Sequence, residues 1–143
     1  MALRFHAPAA QATPRMIASE IYRHSHYGDW HPLRVPRVST VLDLTRALGW
    51  LPETHYISSP RAKPATLVGF HTADYIDALV AAEGAQEVTA QVRARHGLGT
   101  HSNPIFAEMF RRPATSAGAA LLIGELLAQG GLYAQLYHQE FSD

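Results

Sequence analysis

Residues 36–60 read PRVSTVLDLTRALGWLPETHYISSP, and this stretch decides the fold. Pro36 stands where a first-turn proline belongs. Val38, Val41, Leu42, Thr45 and Leu48 follow at helical spacing up to Gly49, which predicts an amphipathic helix. Beyond it, Tyr56 and Ile57 form a short strand signal closed by Pro60. On the N-terminal side, MIASEIYRH (16–24) carries Ile17, Ile21 and Tyr22 and reads as a second strand running to His24. Strand, helix and strand at this spacing predict a parallel βαβ unit with a right-handed crossover, so the class is α/β.

The rest of the chain is mostly helical by pattern. KPATLVGF (63–70) reads as a short helix or turn. Thr72 has the character of an N-cap with Asp74 in the first turn, and Tyr75, Ile76, Leu79 and Val80 follow before a stop at Gly84. Val88 and Val92 suggest a short exposed helix within 86–95, and HGLGTHSNP (96–104) is a loop by composition. Residues 105–129 are again helical, with Pro113 expected to kink or split them. The small residues from Ala114 to Ala120 let that helix approach a neighbour closely, Gly130 and Gly131 end it, and Phe106, Met109 and Phe110 read as core.

At 143 residues the chain makes one domain. Twelve basic and twelve acidic residues cancel, which argues against nucleic acid and anionic membrane as partners. The absence of cysteine excludes disulfides and thiolate metal sites and fits a cytoplasmic protein. Residues 1–15, rich in Ala and Pro, lack the apolar core of a secretory signal and read as a flexible tail. The longest apolar run, AGAALLIGELLA (117–128), is broken by Glu125 and is too short to span a bilayer.

Most of the polar chemistry lies in HSHYGDWHPLRVPR (24–37). On an extended strand His24 and His26 point the same way and could chelate a metal with Asp29 or His31; the plainer reading is a set of loop histidines, with His31-Pro32 anchoring a rigid turn. Arg34 and Arg37 share a face at a helix N-terminus, where cations are slightly unfavourable. Each is therefore either solvated or held by a specific acceptor. The GLGT segment (97–100) lacks the GxxxxGK[ST] pattern of a phosphate loop, and no GxSxG elbow occurs.

Three motifs in order carry a resemblance. HPLRVPRVSTVLDLTRALGWL (31–51), FHTADYIDAL (70–79) and HGLGTHSNPIFAEMF (96–110), followed by the small-residue helix AGAALLIGELLAQGG (117–131), resemble the N-terminal portion of the zinc-dependent histone deacetylase and acetoin-utilisation deacetylase family. The resemblance implies the N-terminal part of an arginase-deacetylase-like three-layer fold, here a parallel βαβ unit with three or four helices over residues 16–131 and a divergent tail at 132–143. It also implies an enzyme class, hydrolysis of acetyl-lysine or small acetylated amines by a zinc-activated water.

Residue by residue, Arg37 matches an arginine lining the family's internal channel. Tyr27, Trp30 and His31 fall on the pocket rim, and Ser102 and Asn103 on the substrate-gripping loop. Ser102 stands where many members have an aspartate; a serine can hydrogen-bond but brings no fixed charge. The family's tandem His and its Asp-x-His ligands have no counterpart here, and His138 alone cannot make a three-ligand site. The expectation is a truncated deacetylase-like segment with no catalytic or metal-ligating residues, no zinc of its own and no activity alone. Its uncovered apolar faces predict self-association, and a non-catalytic interaction module is the alternative.

Overall fold

The computed structural model describes residues 15–28, 31 and 34–129. Strand β1 (Met16–Ala18) and strand β2 (Tyr56–Ser58) pair in parallel, with Met16 beside Tyr56, Ile17 beside Ile57 and Ala18 beside Ser58. Between them lie a single helical turn, α1 (Ile21–His24), and helix α2 (Arg37–Ala47), which buries Leu42 completely. The βαβ unit read from residues 16–60 is therefore present, and the arginase-deacetylase class of α/β fold is as expected.

The first strand is shorter than the pattern suggested. It ends at Ala18 because Ser19 Oγ accepts the Ile21 N–H at 3.2 Å, and Ser25 N–H closes a turn on Ile21 O at 3.2 Å. A local side-chain acceptor of this kind offers the backbone an alternative to the ladder. His24 thus ends a helical turn, and the strand geometry that a His24–His26 chelate would have required is absent, in keeping with the plainer reading of loop histidines.

Four helices follow: α3 (Pro64–Leu67), α4 (Ala73–Ala85), α5 (Ala90–His96) and α6 (Arg111–Ala128). Helix α4 runs through Gly84 and ends at Gln86, which takes the left-handed conformation at φ 55° itself. Helix α5 is capped by Thr89, whose hydroxyl accepts the Val92 N–H at 3.2 Å. Pro113 neither kinks nor splits a helix. The helix starts only at Arg111, so the proline sits in its first turn, where a missing N–H costs nothing.

Glu83 of α4 fixes that start. Its carboxylate accepts the N–H groups of Phe110 and Arg111 at 2.8 and 2.9 Å and pairs with Arg111 Nε at 2.5 Å, so a side chain from another helix caps α6. The core fills the angle between α4, α6 and the 97–110 segment. One cluster is built on Ile76, Phe110 and Ala114, and the other on Ala82, Leu98 and Met109. Phe106 packs against the second, as its place in the sequence suggested.

The small-residue run brings α6 onto the chain leaving β2. Ala62 N–H donates to Ala114 O at 2.9 Å and Ser59 Oγ–H to Thr115 O at 2.7 Å. At Gly118 even a methyl group has no room, since a Cβ there would lie 1.9 Å from Pro60 O.

Surface ion pairs tie the periphery together. Arg23 bridges Glu20 and Asp43, Arg46 reaches Glu20, and Arg95 pairs with Asp74 at 2.5 Å. The Thr72 hydroxyl first, then the Arg95 guanidinium, hold the Asp74 carboxyl below its ordinary range. A carboxyl with a lowered folded pKa stabilises the fold above its unfolded value and loses that contribution as pH falls through the folded value. In an NMR titration Asp74 is expected to have its midpoint below that of an ordinary aspartate and to move upward in both Thr72→Val and Arg95→Gln. An unmoved midpoint in both variants contradicts the assignment.

Candidate functional site

The 97–103 loop shows how the sequence builds a rigid wall. Gly97 closes α5, and Gly99 holds φ 72° with its N–H donating to Asn103 O at 2.9 Å. A side chain at Gly99 would be strained by that φ and would meet Val88 Cγ2 at 2.9 Å. Between the two glycines Leu98 is fully buried, and Thr100 Oγ1–H donates to Gly97 O at 2.9 Å. The Gly99 N–H is thus committed within the loop, which argues against a phosphate cradle.

Asn103, at the end of this loop, borders a cavity of about 460 Å³. Tyr22 and Tyr27 from the N-terminal side, Leu67 and Tyr75 from α3 and α4, and Phe106, Arg112 and Ser116 line it, and it is open to solvent. Among the described residues its lining includes no Asp or Glu. Tyr27 is the junction of this wall, with its ring centroid 4.7 Å from that of His31 and 4.8 Å from that of Phe106. The Arg112 guanidinium lies over the same ring at 4.8 Å and over Tyr22 at 5.7 Å. The Tyr22 hydroxyl in turn shares a short hydrogen bond with Ser116 Oγ.

Tyr27 and Asn103 thus line one cavity, the His31 ring packs against Tyr27 from outside the lining, and Ser102 is exposed next to Asn103. Arg37 and Arg34 are both exposed, and Arg37 begins α2 without lining the cavity. Trp30 and Asp29 lie outside the described residues. Sequence reasoning overlooked Arg112, although the signal applied to Arg34 and Arg37, a cation kept at a helix N-terminus against the dipole, occurs again in Arg111-Arg112. Arg111 is answered by Glu83 and Arg112 by two aromatic faces.

Among the described residues, no three His, Asp or Glu side chains come together as a metal set. His24, His26 and Glu108 border a separate cleft of about 370 Å³ without converging. The described residues therefore do not fit the zinc ion that the resemblance implies.

A short parallel βαβ entry, a glycine-shaped loop and a small-residue helix packed on the strand exit define the opening part of an arginase-deacetylase fold. Residues 31–139 match the model of the histone deacetylase domain, and the chain belongs to that family. It is similar to the acetoin utilization protein AcuC of Bacillus subtilis, 28% identical over 114 residues, which are 80% of this chain and 29% of that protein. It also superposes on an HDAC homologue solved in complex with SAHA (TM-score 0.78, 32% identity, 82% of this chain and 32% of that one). An HDAC homologue from Aquifex aeolicus gives a TM-score of 0.77 at 32% identity, over 81% of this chain and 31% of that one. The chain thus spans about a third of the length of these relatives.

Proposed function

We propose that this chain supplies scaffold and pocket wall to a zinc-dependent deacetylase acting on acetyl-amides, and that its 143 residues alone do not hydrolyse them. The observation that carries this reading is that Tyr27 and Asn103, two positions the resemblance assigns to rim and loop, line one cavity, with the His31 ring packed against Tyr27. The chain's own residues shape and position: Leu98 anchors the loop that presents Ser102 and Asn103, and Tyr27 fixes the rim. A hydrolytic zinc supplies a water of lowered pKa when three protein ligands hold it, and the described residues provide no such set. A cytoplasmic location belongs to the same reading, and among the described residues no helix is long and apolar enough to cross a membrane.

A chimera tests this. Residues 16–129 replace the matching segment of the Aquifex aeolicus HDAC homologue, and hydrolysis of an acetyl-lysine peptide is followed with zinc present. The chimera is expected to turn over with KM raised about tenfold, because Ser102 cannot offer the charge-assisted bond an aspartate makes. Ser102→Asp is expected to lower KM again. A folded chimera without turnover contradicts the reading, as does turnover by the unmodified 143-residue chain.

A specific surface favours the second reading, a self-associating module. Val41 and Leu44 of α2 and Leu48 just after it form an exposed ridge continued by Trp50, which is 73% exposed. Leu121 and Ile123 of α6 are exposed as well. Burying such surface in a homodimer is favourable. Sedimentation at increasing concentration should then show dimers that Leu44→Glu disperses; a monomer at all concentrations removes this reading.

A further inference from the structure

We propose that Arg112 is a positioning residue that clamps the 25–28 stretch of the pocket rim onto α6 by cation–π contact. Its bearing on substrate rests on the rim assignment above, but the clamp itself is tested without any substrate. Among the described residues, Arg112 Nη1 is buried and has no hydrogen-bond partner. A charged nitrogen taken out of water without an acceptor demands another source of stabilisation. The two ring faces supply it, since the guanidinium carbon lies 4.8 Å from the Tyr27 centroid and 5.7 Å from that of Tyr22, both within the range where a cation is attracted to the ring quadrupole. Among the described residues no carboxylate lines the cavity to compete for the guanidinium.

The two tyrosines are themselves held elsewhere, Tyr22 by Ser116 and Tyr27 by the rings of His31 and Phe106. The arginine therefore joins the segment after α1, the 104–106 segment and the first turn of α6 at one point. Charge on Arg112, beyond its bulk, is what fastens the rim.

In the unmodified chain, the Arg112 side-chain N–H signals are expected to be shifted upfield by the ring currents of Tyr22 and Tyr27. Random-coil positions overturn the clamp. Chymotryptic cleavage of the Tyr27–Gly28 bond, identified by mass spectrometry, is expected to quicken about tenfold in Arg112→Met and only about twofold in Arg112→Lys. Equal protection in Arg112→Met and the parent, or equal lability in Arg112→Lys and Arg112→Met, shows that bulk alone matters and overturns the proposal. Should Arg112→Met fail to fold, Tyr27→Leu decides: loss of most of the upfield shift supports the clamp, and its full retention contradicts it.

Discussion

Gly118→Ala is expected to lower the stability of the chain by about 3 kcal/mol, the upper part of the range for forcing atoms into a filled core. The added carbon would stand 1.9 Å from Pro60 O, 2.8 Å from Pro60 C and 2.9 Å from Ala62 N, and all three are backbone atoms with no rotamer to give way. Helix α6 must then move off the strand exit. That movement strains the Ala62 N–H bond to Ala114 O and the Ser59 hydroxyl bond to Thr115 O. Thermal denaturation should show a midpoint about 10 °C lower for a loss of this size. An unchanged midpoint would mean that α6 does not rest on the chain leaving β2.

The second large effect is expected at Leu98. This side chain is fully buried against Ala82 and Met109, with Val88, Val92, Ile105 and Phe106 around it, although it belongs to a loop. Truncation to alanine removes its transfer free energy and leaves a cavity, together about 2–5 kcal/mol. The loss should appear in urea titration as a lower midpoint at unchanged slope. It should also be local: the Gly99 N–H, bonded to Asn103 O, is expected to exchange faster than amides of α4 do. Uniform acceleration across the chain would show that Leu98 stabilises the fold without specially fixing the loop that carries Asn103.

These two sites show what a sequence can disclose. The run from Ala114 to Ala120 announces close packing because small residues have no other common reason to cluster on a helix, and Gly118 against Pro60 is its outcome. Tyr56-Ile57 and the periodic face of α2 announce the βαβ unit for similar reasons. Leu98 was legible as a loop residue only, because burial of a loop leucine depends on the left-handed turn at Gly99 and on partners from α4 and the 104–110 segment.

Boundaries failed where side chains made local hydrogen bonds. Ser19 ended β1 early, and Glu83, far away in sequence, chose the start of α6 and so left Pro113 harmless. Periodicity carries no trace of a cap supplied by another helix. The candidate site was partly legible: His31 and Asn103 sit in quotable motifs and Tyr27 in the polar stretch leading into the first of them, whereas Arg112 gains its meaning from two tyrosines 85 and 90 positions earlier.

The central claim is that these residues furnish a deacetylase scaffold and wall without a metal centre of their own. Cobalt(II) titration of the chain, followed by dialysis and absorption spectroscopy, tests it most directly, because tetrahedral cobalt substituted for zinc absorbs strongly in the visible. No visible band and no retained metal are predicted. One equivalent of tightly held tetrahedral cobalt, lost when any of three His, Asp or Glu residues is replaced, would contradict the account.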